Sequence, residues 1–271
     1  MLDEWDKEDG LHDIEWDKYH TINAVRSSWL EAMRRSPAAC KYVMDSSDPS
    51  KETPSLRMGR ALHAAVLEPL SFSERFKALE HPGNTKAGKK EREGLDGATG
   101  LNATEWQSVT AMAKSLQTHP RVAGLVSQAT MMEKSIIWTR DGRRCKARPD
   151  IGAKTWLADC KTVTQLKRFS PYQITDYGYH RQAAWYLSAY QFLGLPIPEH
   201  YYYLVVASTP PHESAVFRLN VEAVSTGIDE TTKLFEQFLH CEKDHTWTQH
   251  EENLLTATSF PPRQVGTMSS E

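Results

Sequence analysis

The residue types and spacing best suited to catalysis in this sequence are those of Asp150, Asp159 and Lys161. Residues 155–163 predict a short strand, because the run is rich in side chains that favour extended backbone. Side chains alternate between the faces of a strand, so Asp159 and Lys161 share one face, about 6–7 Å apart. Two aspartates can hold a hard divalent cation, and the lysine can orient and help deprotonate a water molecule beside it. The spacing predicts a hydrolytic metal site; the alternative is a surface ion pair on an edge strand.

Three basic residues precede Asp150 at alternate positions, namely Arg144, Lys146 and Arg148. If residues 144–151 form a strand, these three side chains lie on the same face as Asp150. Beside candidate metal-binding carboxylates, such a face is suited to contacts with phosphate groups, with Arg148 the first candidate. The alternative is a solvated face of a hairpin.

The elements that must position these residues are predicted from periodicity and turn signals. Asp141-Gly142 is a hairpin signal between two strands at residues 131–139 and 144–151. The strand at residues 155–163 then completes a meander. Further strands are predicted at residues 201–208 and 214–221, and further helices at residues 56–68, 102–117, 180–193 and 222–241.

Two helix starts match the capping-box spacing, in which each side chain bonds to the backbone of the other residue. Ser28 and Glu31 form the first pair, and Asn102 and Glu105 form the second. Before the second pair, residues 81–102 are rich in glycine and contain a basic cluster. Long segments of this kind are usually functional or disordered loops, and we expect a loop here.

The composition allows a folded protein with a sizeable core. Of the 271 residues, 39% are hydrophobic and 10% are aromatic, so disorder is not the default. The net charge of −3 argues against a surface coated in nucleic-acid-binding charge, but it leaves room for one basic groove. No apolar run is long enough for a conventional transmembrane helix. Four scattered cysteines favour reduced thiols in a cytoplasm-like compartment.

The chain is expected to form one domain over residues 23–248, because no internal repeat or convincing boundary interrupts it. Residues 1–22 are acidic and aromatic, and they predict a flexible or partner-dependent arm. This segment lacks the basic and apolar regions of a signal peptide. Residues 249–271 predict a tail with no evident chemistry.

The catalytic segment resembles the PD-(D/E)xK nuclease signature, through Pro149-Asp150 followed by Asp159-Cys160-Lys161. Four further segments resemble the RecE-like (exonuclease VIII) and lambda-exonuclease-like branch of that superfamily. They read S-S-W-L-E-A-M-R-R-S-P-A-A-C-K-Y-V from Ser27, G-R-A-L-H-A-A-V-L-E-P from Gly59, E-K-S-I-I-W from Glu133, and Q-x-x-x-Y from Gln182. The resemblance covers roughly residues 24–240, and its catalytic segment is the most specific part.

The resemblance implies a fold and a ligand set. The fold is an α/β restriction-endonuclease-like core, in which a mixed central sheet of about five strands is flanked by helices on both sides. Lys161 acts with Asp150 and Asp159, while Gln182 and Tyr186 support the active site. One or two Mg2+ ions, replaceable by Mn2+, are bound by a set of residues that comprises Asp150, Asp159, Glu133, His63 and the backbone carbonyl of Cys160.

The resemblance also implies an activity, namely a processive 5′→3′ exonuclease on double-stranded DNA ends. This activity would leave single-stranded 3′ overhangs, which a single-strand annealing protein would use in annealing-type recombination. The expected location is the cytoplasm of a bacterial or phage-infected cell. Relatives of this kind assemble as rings of three or four subunits. No membrane partner is expected. The residues expected to contact DNA are Arg148, Lys146 and Arg144 on the strand, with Lys89 and Lys90 on a mobile basic loop at residues 81–102; a solvated insertion is the alternative for that loop.

Three alternatives stay open. The chain could be a structure-specific or helicase-linked endonuclease of the same fold, or a DNA-binding module without catalysis, although binding alone does not need the Asp150, Asp159 and Lys161 trio. It could also be an unrelated metalloenzyme, but no Gly-rich phosphate loop, HExxH or CxxC supports that class. An iron–sulfur cluster of the kind found in some relatives is not expected, because Cys40 has only Cys241 far downstream.

Overall fold

The computed structural model describes residues 8–46 and 53–248. The predicted tail and the first seven residues of the predicted arm lie outside the described residues. Helices of the described residues are α1 (Trp16–Thr21), α2 (Ser27–Arg35), α3 (Pro37–Asp45), α4 (Pro54–Leu67), α5 (Pro69–Arg75), α6 (Lys86–Glu93), α7 (Ala103–Thr118), α8 (Pro120–Gln128), α9 (Pro171–Asp176), α10 (Tyr179–Phe192) and α11 (Val221–Asp244). Strands are β1 (Gly10–His12), β2 (Phe76–Ala78), β3 (Thr99–Leu101), β4 (Met131–Met132), β5 (Ser135–Arg140), β6 (Arg143–Ala147), β7 (Ile151–Ala153), β8 (Trp156–Val163), β9 (His200–Ala207) and β10 (Ser214–Arg218).

The predicted α/β class with a mixed sheet of five strands is confirmed, although the membership of that sheet differs. The five-stranded sheet has the order β10-β9-β8-β7-β4. Its central pair, β8 and β9, is parallel, whereas β10 with β9, β7 with β8 and β4 with β7 are antiparallel. A second sheet has the order β1-β5-β6, and β2 pairs with β3 in a third.

Two of the predicted strands are interrupted, which divides the predicted meander between two sheets. The strand expected at residues 131–139 breaks at Glu133, whose φ of 45° is left-handed and does not belong to an extended strand. The strand expected at residues 144–151 breaks at residues 148–150. Pro149 in that gap has no backbone N–H to donate to a ladder. Both breaks lie beside Asp150, because the Glu133 N–H donates to the Asp150 carbonyl at 2.8 Å.

The alternation of side chains along β8 builds two helical layers. Leu157 and Val163 belong to a core that contains residues of α2, α10 and α11. Ala158 and Cys160 belong to a second core that contains residues of α4, α7 and α8. Helices therefore cover both faces of the sheet, as expected. By the same alternation, Asp159 and Lys161 lie on the side of α10.

One of the two predicted capping boxes is confirmed. Asn102 accepts a hydrogen bond from the Glu105 N–H, and the Glu105 side chain accepts one from the Asn102 N–H, each at 3.0 Å. The box predicted for Ser28 and Glu31 is wrong, because α2 begins at Ser27 with no side-chain cap. Glu31 instead binds the guanidinium groups of Arg34 and Arg181.

The segment predicted as a loop at residues 81–102 contains regular structure. It folds into α6 and β3, and the Glu91 carboxylate accepts hydrogen bonds from the N–H groups of Glu80 and His81 at 2.8 and 3.1 Å. A Cβ at Gly88 would lie 2.1 Å from the Pro82 carbonyl oxygen, so the turn into α6 needs glycine. The prediction of a long loop is therefore wrong for the middle of this segment.

Residues 8–22 pack against the second sheet, where we expected a flexible arm. Gly10–His12 pairs with β5, and Ile14 and Tyr19 are buried. Lys146 on β6 is 1% exposed, and its ammonium donates to the carbonyl oxygens of Tyr19 and Ile22 at 2.7 and 2.8 Å. Buried apolar side chains and these two hydrogen bonds fix the segment.

None of the described helices is long and apolar enough to cross a membrane. The four cysteines are buried free thiols, in agreement with the expectation of reduced cysteines. Three of them, Cys40, Cys145 and Cys241, lie in the core with α10, whereas Cys160 lies in the opposite core.

Replacing Lys146 with Met should remove a pH-dependent contribution to stability. Burial, followed by the charge of Arg26, lowers the pKa of Lys146 to about 7, well below that of an unfolded lysine. Between these two pKa values the unfolded state binds more protons, so this contribution rises with pH. The difference in unfolding free energy, wild type minus Lys146→Met, should increase by up to about 1.4 kcal/mol per pH unit from pH 7 to 9.

Urea unfolding at several pH values measures this difference. Lys154→Met is the matched control, because Lys154 is exposed in the turn between β7 and β8, and its difference from wild type should not change with pH. Parallel pH profiles for Lys146→Met and wild type would contradict the assignment of a low pKa to this lysine.

Candidate active site

Asp159 is the central buried charge of the site. It lies in β8 with 1% of its surface exposed. Its carboxylate accepts a hydrogen bond from the Tyr201 hydroxyl at 2.6 Å and one from the Asp150 N–H at 3.4 Å, and it pairs with the Lys161 ammonium at 3.4 Å. These three partners offset the cost of burying the charge. Asp159 is thereby held in a fixed orientation.

Asp150 lies beside Asp159, immediately before β7. Its carboxylate accepts a hydrogen bond from the Cys160 N–H at 2.6 Å, and the Nδ1 of His63 on α4 lies 3.4 Å from its other oxygen. Burial first, and then the charge of Asp159, raise the pKa of Asp150 to about 7, against the opposing effects of His63 and Lys161. The site therefore penalises the ionised form of Asp150.

Lys161 is held between the aspartates and α10. Its ammonium donates to the Gln182 side-chain oxygen at 2.9 Å, and the Gln182 amide donates to the Tyr186 hydroxyl at 2.9 Å. The Tyr179 ring centroid is 5.0 Å from the ammonium, close enough for a cation–π contact. Burial lowers the pKa of Lys161, but the charges of Asp159 and Asp150 outweigh it and the pKa is raised. Lys161 is thus protonated at neutral pH.

The predicted support from Gln182 and Tyr186 has a geometric basis. Their spacing places both on the face of α10 that meets β8, where Gln182 binds the lysine and Tyr186 binds Gln182. Tyr186 is buried, and burial, followed by the charge of Asp159, keeps its pKa well above the ordinary value. Its hydroxyl therefore stays protonated and acts as a fixed hydrogen-bonding group.

His63 reaches the site from the opposite side of the sheet, on α4, and its side chain is 30% exposed. Gly59 lies one turn before His63 on the same face of α4. A Cβ at Gly59 would have no neighbour within 4 Å, so no close approach requires the glycine. The packing position of α4 therefore places His63 beside Asp150.

Glu133 is close to Asp150 through the backbone, but its carboxylate is engaged elsewhere. It pairs with Arg148 at 3.2 Å, and Arg148 also donates to the Ile14 carbonyl oxygen and the Ser135 hydroxyl at 2.6 and 3.1 Å. Glu133 would have to exchange this partner to contact a cation that Asp150 holds. The backbone strain of its positive φ is of the kind found at functional sites.

The predicted phosphate-binding face on β6 does not form, because residues 8–22 cover it. Lys146 is buried beneath them, Arg144 is ion-paired with Asp9, and Arg148 is paired with Glu133 with 11% of its side chain exposed. The expectation of phosphate contact is wrong for Lys146 and is not supported for the other two in this structure.

Lys89 and Lys90, the other two predicted DNA contacts, are exposed on α6. Their side chains are therefore accessible, although α6 is a helix and not the mobile loop that we expected. Their contact with DNA stays a prediction.

A cavity of about 670 Å³ lies beside Glu133 and Arg148 rather than over the two aspartates. Its lining includes seven carboxylate residues but only three arginines, so it favours cations over phosphate groups. The lining carboxylate residues are Asp13, Glu15, Asp17, Glu68, Glu74, Asp96 and Glu133. The cavity is accordingly a poor path for a nucleic-acid backbone.

The donor atoms present fit a hard divalent cation. In the part of the chain that the structure describes, no three His, Cys, Asp or Glu side chains form a ready-made metal-binding group. Mg2+, however, is commonly held by one or two carboxylates and keeps several water molecules, and Asp150 and Asp159 supply that pair. A cation beside them would favour the ionised form of Asp150, whose pKa is raised by burial and then by the charge of Asp159. The Cys160 thiol lies in the opposite core, so only its backbone could contribute.

Sequence reasoning missed two aromatic residues of the site, Tyr201 and Tyr179. The first donates to Asp159, and the ring of the second lies beside Lys161. Alternation within the predicted strand at residues 201–208 indicates that Tyr201 and Tyr203 share a face. Only the parallel register, in which Tyr203 is opposite Asp159, brings that face to the aspartate.

Comparisons with known proteins agree with this geometry. Residues 26–255 match the model of a family described as "PDDEXK-like domain of unknown function (DUF3799)". The structure is similar to the crystal structure of a protein from Eubacterium rectale described as a "putative exonuclease", with a TM-score of 0.64. Sequence identity is 8%, over 87% of this chain and 88% of that chain, so the likeness concerns the fold alone. No curated protein matches the sequence.

Addition of Mg2+ should raise the melting temperature of the protein, and Asp159→Asn should abolish the increase. A ligand that binds only the folded state at ten times its Kd contributes about 1.4 kcal/mol, which corresponds to roughly 3–6 °C for a domain of this size. Differential scanning fluorimetry measures the change in melting temperature on adding metal.

The quantity compared is this change and not the melting temperature itself, because the substitution also perturbs folding. Asp45→Asn, at an exposed aspartate that ends α3, should keep the wild-type increase. An equal increase in Asp159→Asn would rule out Asp159 as a metal ligand.

Proposed function

We infer that this chain, which belongs to the family of PDDEXK-like domains, is a divalent-metal-dependent nuclease that hydrolyses phosphodiester bonds of DNA. The observation that carries the inference is the position of Lys161. Its ammonium is held by Gln182 at 2.9 Å and Asp159 at 3.4 Å, with Asp150 on the other side of Asp159. Binding of DNA alone would not require a partly buried lysine beside two carboxylates, one of them fully buried.

Asp150 and Asp159 are the residues that would hold the metal, with His63 beside Asp150. A divalent cation bound there supplies Lewis acidity toward a phosphate oxygen and lowers the pKa of a bound water molecule. The protein contributes a rigid setting for that chemistry. Asp159 is fixed by Tyr201 and Asp150 by the Cys160 N–H, so neither carboxylate has to reorganise during the reaction.

Lys161 acts as a charged hydrogen-bond donor. The two carboxylates raise the pKa of Lys161, so the lysine carries its proton while no cation offsets their charge. Its role is to orient the attacking water and to stabilise negative charge that develops on the phosphate. The expectation from the sequence that the lysine also helps to deprotonate the water stays a prediction.

Gln182 and Tyr186 are positioning residues for that ammonium. The Gln182 side-chain oxygen accepts from Lys161, and its nitrogen donates to the Tyr186 hydroxyl. The hydrogen bond to Tyr186 therefore holds the amide with its oxygen toward the lysine. This arrangement fixes the direction of the lysine side chain. A lysine is flexible unless it is restrained in this way.

The motif resemblance is the basis for a more specific proposal about the mode of cleavage. We expect a 5′→3′ exonuclease that acts on ends of double-stranded DNA with Mg2+, and whose products serve a single-strand annealing partner in recombination. A ring of three or four subunits is part of the same expectation. The similar Eubacterium rectale protein is described as a "putative exonuclease", which is the mode proposed here.

Lys161→Ala should lower the rate of DNA hydrolysis by roughly 10²- to 10³-fold, the loss typical of removing one donor to transition-state charge. The measurement is digestion of linear and closed circular duplex DNA with Mg2+. Wild type should degrade linear DNA alone, and Lys154→Ala, an exposed lysine before β8, should behave as wild type.

Each departure from this result has a distinct meaning. Cleavage of circles by wild type would show an endonuclease. Equal activity in wild type and Lys161→Ala would remove this site from the reaction. A lack of hydrolysis of either DNA by wild type would favour the DNA-binding module.

Gln182→Met should lower kcat by about tenfold to a hundredfold, the usual loss for a residue that orients an active-site group, while KM changes little. The amide touches the lysine and, in this structure, no group that would bind the rest of the DNA. Gln191→Met is the matched control, because Gln191 is exposed on the same helix. An increase in KM with unchanged kcat would instead place Gln182 in DNA binding.

A further inference from the structure

We propose that the exposed ring of Tyr177 is a stacking site for an unpaired base of single-stranded DNA next to the catalytic lysine. The proposal rests on the proposed nuclease function for the identity of the strand. It concerns the segment from Leu166 to Tyr179, which includes a 3-10 turn (Leu166–Arg168), α9 and the first residue of α10.

Three aromatic rings form a ladder from the protein core to the solvent. Phe169 is buried, and its ring is stacked on that of Tyr179, with centroids 6.0 Å apart and planes at 23°. Tyr179 is stacked in turn on Tyr177, at 5.7 Å and 20°. Tyr177 is 61% exposed. One face of its ring is therefore in contact with Tyr179, and the other is available to a further planar group.

The ladder is adjacent to the reacting atoms. The ammonium of Lys161 lies 5.0 Å from the centroid of the Tyr179 ring, so Tyr177 is separated from the catalytic lysine by one ring. A base stacked on Tyr177 would belong to a nucleotide next to the phosphate that Lys161 contacts. Such a contact positions the strand, and positioning of the substrate contributes to rate.

The backbone holds Tyr177 in place before any ligand binds. Gly178 has a φ of 67° and is buried, and a Cβ there would lie 2.2 Å from the Glu31 carboxylate. Arg181 binds both Glu31 and the carbonyl oxygen of Thr175. The turn between α9 and α10 is thus fixed by buried polar contacts. A ring that is already ordered loses little conformational entropy on binding.

The charges around the ladder suit a phosphate chain. Lys167 and Arg168 are exposed on the turn that precedes Phe169, and Asp176 is the acidic residue between them and Tyr177. Proteins that bind single strands combine basic side chains with aromatic rings on which bases stack. Because a base can stack only when it is unpaired or at an end, the occupant is a single strand rather than the interior of a duplex.

The test is binding of two fluorescein-labelled strands of equal length and charge, measured by anisotropy in EDTA so that the strand is not cut. One strand is an oligothymidylate, and the other carries abasic tetrahydrofuran units in place of the nucleosides. Wild type should bind the oligothymidylate about tenfold more tightly, a ratio typical of one stacked base. Tyr177→Ala should bring this ratio close to one without weakening binding of the abasic strand, and Tyr177→Trp should preserve it.

Tyr42→Ala is the matched control, because Tyr42 is 64% exposed on α3, and it should keep the wild-type ratio. A ratio that is the same in Tyr177→Ala and wild type would overturn the proposal, and so would an equal loss in Tyr42→Ala.

DNA digestion by wild type, Tyr177→Ala and Lys161→Ala separates this proposal from the proposed function. Lys161-dependent hydrolysis together with an unchanged ratio in Tyr177→Ala would reject the stacking site and keep the nuclease. A ratio that depends on Tyr177 in a protein that hydrolyses no DNA would keep the stacking site and reject the nuclease.

Discussion

The burial of the Asp159 carboxylate is the constraint on which the site depends. A charge with 1% of its surface exposed is stable only when nearby groups offset its lost hydration, and three elements supply them. Tyr201 comes from β9, the Asp150 N–H from the segment before β7, and Lys161 from β8 itself. Because Lys161 in turn requires Gln182 on α10, one buried charge links the central strands to the helix that packs on them.

The second sheet controls what surrounds this centre. Residues 8–22 pack on β5 and β6, and the burial of Lys146 under them converts a face that could have bound phosphate into protein interior. Arg148 is drawn into the same interface, where it pairs with Glu133. Lys146 and Arg148 are thus used to hold the structure together. Lys167 and Arg168, in the turn that follows β8, are exposed instead.

The aromatic ladder connects the same centre to the solvent. Tyr179 lies beside Lys161 and also supports the exposed ring of Tyr177. The turn that joins these two tyrosines is fixed through Gly178 and the buried pair of Glu31 and Arg181. Lys161 and the proposed base-binding ring are therefore both in contact with one rigid element, the start of α10.

The sequence by itself determined the features that depend on local physics. Alternation placed Asp159 and Lys161 on one face of a strand, helical spacing placed Gln182 and Tyr186 together, and the capping box of Asn102 followed from residue types. Tertiary structure decided the rest. The break at Glu133, the parallel register that brings Tyr201 to Asp159, and the burial of Lys146 all depend on partners distant in the chain. Side-chain alternation is the same in an exposed strand and in a covered one, so only the packed structure shows which charges remain free to act.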